Sequence, residues 1–229
     1  MIYYTSDCHF GHANICRGVT KWGEIDKNGV FHPDIIGTRD FNTVEEMNNA
    51  IIKSINSVVK EDDTLVHAGD LAFGGWENIW NFRKQLVVKR FIQINGNHDE
   101  HIKKDKFFKF LEKQEDFIYE IDNHNDFRIM GQLKHKSDVT ARDLFTEVHD
   151  GRHILEIDGQ TIVIDHYPEE EWYKMDKGSW HFHGHVHNQL DNCETNTRYK
   201  RFDLGWKGKV YSHDELSEIM LKREIKPHH

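Results

Sequence analysis

The sequence predicts an α/β (α+β) protein, and three features carry that prediction. The first half alternates short apolar runs with amphipathic stretches in the order β-α-β-α-β, the pattern of a parallel sheet with crossover helices. The second half, from His153 onward, is rich in short β-type runs instead. Polar clusters also stand directly after apolar runs: Asp7-Cys8-His9, Gly69-Asp70, Asn95-Gly96-Asn97-His98-Asp99, Asp165-His166 and Gly184-His185-Val186-His187. Strands that empty into Asp, His and Asn place chemistry at one end of a sheet.

Residues 2–6 read as the first strand, and Asp7 and His9, two apart, would share one side of an extended backbone. From Gly18 to Arg39 the signals are loop-like, with Asp26-Lys27-Asn28-Gly29 as the best turn of a small hairpin. Thr43-Val44-Glu45-Glu46 is a capping box. Behind it Val44, Met47, Ile51, Ile55 and Val58 recur at helical spacing, which predicts a helix over 43–59. Thr64 to Ala68 is a buried strand, Trp76 to Leu86 a helix, and 90–94 a strand. Residues 101–114, with Ile102, Phe107, Phe108 and Leu111, predict an amphipathic helix whose lysines face solvent. The stretch 122–150 has weak periodicity and many charges, and reads as an insertion or lid; 17–38 is a second possible insertion. His153–Ile157 and Thr161–Asp165 form a hairpin about Asp158-Gly159. Trp180–His183 and Thr197–Phe202 are further strands. Ser212-His213-Asp214-Glu215 caps a terminal helix with Leu216, Ile219 and Met220 inward.

A chain of 229 residues, 37% hydrophobic and 30% charged, is expected to form one domain over 1–229. The formal net charge of -9 argues against a broad basic surface for long duplex nucleic acid. A small phosphoester, a nucleotide or a short oligonucleotide remains open. Three cysteines without a Cys-x-x-Cys pair argue against a disulfide framework and a thiolate zinc knuckle. No stretch approaches the ~18 apolar residues of a membrane span, and the N-terminal run has neither a basic region nor a long apolar core. No membrane partner and a cytoplasmic location are expected. Histidine is the anomaly, at 18 residues; the terminal Pro-His-His is compatible with a purification tag and is set aside. His67, His149, His153 and His181 are expected at the surface or in support of other residues, Cys8 to pack with its side chain turned away, and Trp172, Trp180 and Trp206 in the core.

Asp, His and Asn donors without cysteine suit a hard-to-borderline divalent cation such as Mn²⁺, Fe²⁺, Zn²⁺ or Ni²⁺. The clusters supply enough donors for two cations sharing one carboxylate. Two cations about 3.5–4 Å apart lower the pKa of water toward neutral and clamp the attacking and leaving oxygens at phosphorus. Each cluster alone has an ordinary reading: Gly69-Asp70 is a common turn, and Gly184-His185-Val186-His187 could be a structural zinc site, which the absence of cysteine disfavours.

Taken in order, the blocks Asp-x-His, Gly-Asp, Gly-Asn-His-Asp/Glu, an isolated His and Gly-His-x-His resemble the calcineurin-like metallophosphoesterase superfamily. The runs Ser6-Asp7-Cys8-His9-Phe10-Gly11-His12-Ala13-Asn14-Ile15, Arg39-Asp40-Phe41 with Val44-Glu45-Glu46-Met47-Asn48, and His166-Tyr167-Pro168 resemble a small bacterial and phage-type branch. The resemblance implies a two-layer β-sandwich of mixed sheets flanked by helices, with two divalent metal ions at the strand ends, Mn²⁺ first and Fe, Zn or Ni as alternatives. It implies that Asp7, His9 and His187 hold one metal, that Asn97, His166 and His185 hold the other, and that Asp70 bridges them. A bridging hydroxide would then attack a phosphodiester or phosphomonoester. His98 would contact the phosphoryl oxygen and protonate the leaving group, a task suited to an imidazole of ordinary pKa ~6.5. Asp99 orients His98 or finishes the turn; His12 and Arg39 bind substrate phosphate or take ordinary packing and surface roles.

After Gly69-Asp70 the chain reads Leu71-Ala72-Phe73-Gly74-Gly75, without the extra Asp and Arg of the protein-phosphatase type, which favours phosphodiesters. A nucleotide phosphatase or pyrophosphohydrolase competes with that reading. A non-catalytic metal-binding scaffold would be expected to have lost ligands or His98, and this chain keeps them all. Relatives often have Arg-Pro-Phe where Arg39-Asp40-Phe41 stands and an aromatic residue at the place of His183, departures that bear on substrate choice.

Overall fold

The computed structural model describes residues 1–33, 37–104, 107–114, 126–129, 132–187 and 189–227. Strand β1 (Ile2–Thr5) leads through a short 3-10 turn to a small hairpin, β2 (Gly23–Ile25) and β3 (Phe31–Pro33). Its turn is tied by the Asp26 carboxylate, which accepts the amides of Asn28 at 2.8 Å and Val30 at 2.9 Å. Helix α1 (Val44–Val58) starts where Thr43 Oγ1 accepts the Glu46 amide at 3.1 Å and the Glu46 carboxylate accepts the Asn42 amide at 3.0 Å. Its buried stripe is Met47, Ile51, Ile52 and Ile55, continued by Val59, while Val58 is exposed. The shift arises because the helix stops at Val58 and the extended backbone of Val59 turns that residue inward.

The chain continues through β4 (Thr64–His67), α2 (Trp76–Lys84) and β5 (Arg90–Ile94) as predicted. The single helix expected over 101–114 is instead a 3-10 turn at Glu100–Lys103 and a short α3 (Phe107–Leu111), with extended backbone at Lys104. The spacing of five from Ile102 to Phe107 breaks a helical repeat that Phe107, Phe108 and Leu111 keep. Next come the hairpin β6 (Asp126–Ile129) and β7 (Gln132–His135), then β8 (Glu147–His149). Between β7 and β8, Val139, Ala141, Leu144 and Phe145 are buried in the main core; positions 122–125 and 130–131 lie outside the described residues. The hairpin β9 (His153–Ile157) and β10 (Gln160–Ile164) and strand β11 (Trp180–His183) stand where expected. The strand expected over 197–202 is replaced by a helical turn, α4 (Glu194–Thr197), followed by β12 (Arg201–Asp203). Thr197 Oγ1 donates back to the Cys193 carbonyl at 3.0 Å, holding that turn closed. Strand β13 (Tyr211–Ser212) and helix α5 (His213–Leu221), capped by Ser212, complete the described chain.

These strands make two facing mixed sheets. The first runs β13-β1-β4-β5-β8, parallel except for β13; the second runs β12-β11-β10-β9, parallel except for β9. Successive residues of the first sheet point to opposite faces. Tyr4, Val66, Ile92 and Ile94 pack against Ile162, Ile164, Trp180 and Phe182 of the second sheet. Leu65 and Phe91 pack instead with Met47, Ile51, Ile79 and Phe82 beneath α1 and α2. Burial on both faces is why these strands read as continuous apolar runs. The result is a two-layer sandwich flanked by helices. No helix among the described residues is long and apolar enough to cross a membrane.

Parallel order sends the chain out of β1, β4 and β5 at one end, so Asp7, Asp70 and Asn97 emerge together. The two sheets are sewn at that end: Ser6 donates its amide to the Leu204 carbonyl at 3.1 Å and accepts the Trp206 amide at 3.0 Å. Asp165-His166 and Gly184–His187 leave β10 and β11 beside this seam.

Candidate active site

Backbone conformation marks the site before any side chain does. Asp7, His9, Asp70, His185 and His187 have φ of 51°, 46°, 56°, 70° and 46°, the left-handed region that side chains other than glycine rarely adopt. Asp7 and His9 therefore do not share a side by strand alternation, as their spacing suggested; each is turned inward by a local reversal. Such conformations cost about 1–2 kcal/mol apiece and persist only where the surrounding structure enforces them.

Close approach enforces two of these positions. A Cβ on Gly184 would stand 2.0 Å from Ser6 Oγ and 2.3 Å from Asp7 Oδ2, and one on Gly96 would stand 2.3 Å from Asp70 Oδ1. Gly184→Ala is expected to displace the Asp7 carboxylate and weaken cation binding at least about ten-fold, measured by competition with a chromophoric chelator.

Two groups of donors converge. In one, the Nε2 atoms of His9 and His187 are 3.0 Å apart, and Asp7 Oδ1 is 3.8 Å from the first and 3.7 Å from the second. In the other, Asn97 Oδ1 lies 3.1 Å from His166 Nε2 and 3.0 Å from His185 Nδ1. Asp70 Oδ2 stands between the groups, 3.5 Å from His9 Nε2 and 3.4 Å from His166 Nε2. Ligand atoms about 2.1 Å from a shared cation lie roughly 3.0–3.4 Å from one another at octahedral and tetrahedral angles. The observed spacings are at or slightly above that range, and the nitrogen–oxygen donor set suits borderline divalent ions. These residues fit a pair of cations.

Electrostatics agree for most of the set. Burial alone would raise the Asp7 carboxyl, but His9, His166 and His187 hold it well below the usual carboxylate range. Asp70 is likewise lowered against its burial by a hydrogen bond and the charge of His166. Burial pushes His187 down to about 4 and lowers His185, so both imidazoles offer lone pairs. His166 is the exception: burial opposes its charge, but Asp70 and Asp7 outweigh it and raise it to about 9. A cation bound there must displace that proton.

His98 stands at the exposed mouth. Its amide donates to Asp70 Oδ1 at 2.9 Å and its Nε2 is 3.9 Å from Asp70 Oδ2. Among the described residues no hydrogen bond joins the Asp99 carboxylate to the His98 ring. Asp99 is buried, and its carboxylate accepts the amides of Asp70 at 2.7 Å, Gly96 at 2.8 Å and Leu71 at 3.0 Å, together with Gln93 Nε2 at 3.1 Å. Burial raises its carboxyl against those amides. Asp99 thus staples the loop after β4 to the loop after β5 and fixes the approach of Asp70. Asp99→Ala would strand three amides and is expected to cost about 3 kcal/mol or more of stability, read from urea unfolding.

Arg39 Nη1 donates to the Cys8 carbonyl at 2.7 Å and Nη2 to the Asp7 carbonyl, and the guanidinium lies 4.9 Å from the Trp206 ring centroid. Its charge therefore supports the reversed Asp7–Cys8 backbone. His12 is buried and stacked on Phe73 at 4.0 Å between centroids, and burial followed by the charge of His9 lowers it to about 4. Sequence reading missed Gln93, hidden inside a strand, and the exposed aromatics Trp22, Phe73 and Tyr167 around the mouth. Phe73 did leave a signal, as a large apolar residue in a glycine-flanked loop. Cys8 is buried and the three tryptophans named above are in the core.

The chain is 27% identical over 194 residues to the uncharacterized protein MJ1445 of Methanocaldococcus jannaschii, spanning 83% of this chain and 72% of that one. A crystal structure of AQ665, a protein of unknown function from Aquifex aeolicus, superposes with a TM-score of 0.55 at 23% identity, covering 95% of this chain and 98% of the other, and so shares the fold. The model of the calcineurin-like phosphoesterase family matches residues 1–189, from the first strand through the last of the convergent histidines. The chain belongs to the calcineurin-like phosphoesterase family, whose chemistry is metal-dependent phosphoester hydrolysis.

Proposed function

We propose that this protein is a dinuclear-metal phosphoesterase that prefers phosphodiesters. The observation that carries the reading is Asp70 Oδ2, placed 3.5 Å and 3.4 Å from one imidazole of each donor group. Asp7, His9 and His187 would hold one divalent ion, Asn97, His166 and His185 the other, and Asp70 would be shared. Bound there, the ions would lower the pKa of water and neutralise charge on the phosphoryl oxygens. The chain's own contribution is positional. Asp99 and Gln93 fix the Asp70 loop, Arg39 fixes the Asp7 loop, and His98 is free at the mouth to pass a proton to the departing oxygen.

The preference for diesters rests on the mouth. Among the described residues the cleft beside the donors is lined by His9, His12, Ile15, Trp22, His98, His187 and Gln189, with no lysine or arginine. Arg39, in the adjoining pocket, is committed to backbone carbonyls. A monoester dianion is best served by cationic side chains, whereas a diester monoanion with a flat leaving group suits a wall that carries Trp22, with Phe73 stacked on His12 beside it. A nucleotide or short oligonucleotide meets that description. Mn²⁺ is the first candidate metal, with Fe, Zn and Ni compatible with the same donors. The test is hydrolysis of bis(p-nitrophenyl) phosphate and p-nitrophenyl phosphate, side by side, by metal-stripped protein resupplied with Mn²⁺. Faster diester cleavage is expected; faster monoester cleavage would make a nucleotide phosphatase or pyrophosphohydrolase the better reading.

A further inference from the structure

A third set of metal-type donors lies outside the site described. Glu147 and His149, two apart on β8, project to the same face, and His153 opens β9. These seven residues carry the chain from β8, the last strand of the first sheet, to β9, the last strand of the second, among the described residues. One donor atom from each of the three lies within 4.8 Å of the others. His149 Nε2 is 3.2 Å from Glu147 Oε2, and the His149 and His153 rings are stacked with centroids 3.8 Å apart and planes inclined by 27°. The Nε2 atom of His153 is buried and has no hydrogen-bond partner among the described residues.

That last atom argues against simple surface packing. A buried ring nitrogen left unpaired costs free energy that a stacking contact does not return. Burial and the neighbouring His149 both disfavour the charged form of His153, which keeps its lone pair available. Asp150, the nearest other acid in the segment, is taken by Asn95 at 2.8 Å and by Arg142 at 3.0 Å.

We propose that Glu147, His149 and His153 form a third metal site, separate from the dinuclear one, that takes a borderline divalent cation of the Zn²⁺ type. Two imidazoles and one carboxylate select Zn²⁺, Ni²⁺, Co²⁺ or Cu²⁺ over Mg²⁺ and Ca²⁺, and water completes the coordination. The ion ties β8 and β9 together, the strands that end the two sheets among the described residues. The site shares no residue with the candidate active site and does not depend on the phosphoesterase reading.

The experiment is equilibrium dialysis of the metal-stripped full chain against Zn²⁺, with thermal unfolding followed in parallel, for wild type, His153→Ala and Glu147→Gln. Wild type is expected to bind one equivalent more than either variant, or to bind its weakest equivalent at least ten-fold more tightly. Its Zn²⁺-dependent rise in Tm is expected to exceed theirs. Glu147 is exposed, so Glu147→Gln remains informative if His153→Ala does not fold. Equal stoichiometry, affinity and Tm shift in wild type and the folded variants would overturn the proposal, and loss of turnover in the Mn²⁺ assay would not bear on it.

Discussion

Asp70→Asn is expected to lower kcat/KM for Mn²⁺-dependent hydrolysis by roughly 10³-fold or more, about 4 kcal/mol of barrier. One carboxylate serves two groups of donors here: Oδ2 faces His9 and His166, while Oδ1 accepts the His98 amide. An amide of the same shape can accept on one side only, and its NH₂ must turn either toward the His98 N–H or toward the two imidazoles. Both outcomes remove the shared anion. Bound Mn²⁺, counted by elemental analysis after gel filtration, is expected to fall from two per chain to one or fewer. The fold should survive, because Asp99 grips the Asp70 loop through its backbone rather than its side chain. Circular dichroism checks that point. Turnover within ten-fold of wild type, with two ions still bound, would remove Asp70 from the centre of the mechanism.

Much of this arrangement was legible in the sequence, for identifiable reasons. Buried parallel strands need continuous apolar runs, so Thr64–His67 and Arg90–Ile94 announced themselves, and the polar residues directly after them had to lie at one end of the sheet. Capping residues announced α1 and α5 because Thr43 and Ser212 satisfy amides within their own first turn. What was hidden depends on contacts distant in sequence. Arg39 was open between binding phosphate and an ordinary packing role, and its hydrogen bonds run to carbonyls 31 and 32 residues away, which no local pattern foretells. Asp99 was open between orienting His98 and finishing the turn; it accepts the Gly96 amide of that turn and also reaches back to amides 28 and 29 residues earlier. The left-handed backbone at Asp7, His9, Asp70, His185 and His187 also leaves no local mark, because Asp and His are not residues that demand it. At Asp7 and Asp70 the strained backbone stands against the seam at Ser6 and the close approach of Gly184 and Gly96.

His98→Ala is expected to leave both ions bound while lowering kcat by about 10²–10⁴-fold for a substrate with an alkoxide leaving group. The ring is outside both donor groups, its side chain is 39% exposed, and it makes no hydrogen bond to Asp70, which the backbone amide does; its Nε2 lies 3.9 Å from Asp70 Oδ2. Removing the ring therefore leaves the metal ligands in place, unlike Asp70→Asn. Two roles remain for it: donating a hydrogen bond to a phosphoryl oxygen, or protonating the leaving oxygen. Leaving-group dependence separates them. A p-nitrophenolate departs without a proton, so a general acid predicts a small loss for bis(p-nitrophenyl) phosphate and a large one for a dinucleotide. A residue that stabilises the phosphoryl charge predicts equal losses for both. His98→Gln sharpens the comparison, because its amide can donate a hydrogen bond but cannot release a proton at neutral pH. Recovery of turnover in His98→Gln would assign charge stabilisation. Continued loss confined to the poor leaving group would assign proton transfer, the outcome expected from a ring poised beside the donors and open to the mouth.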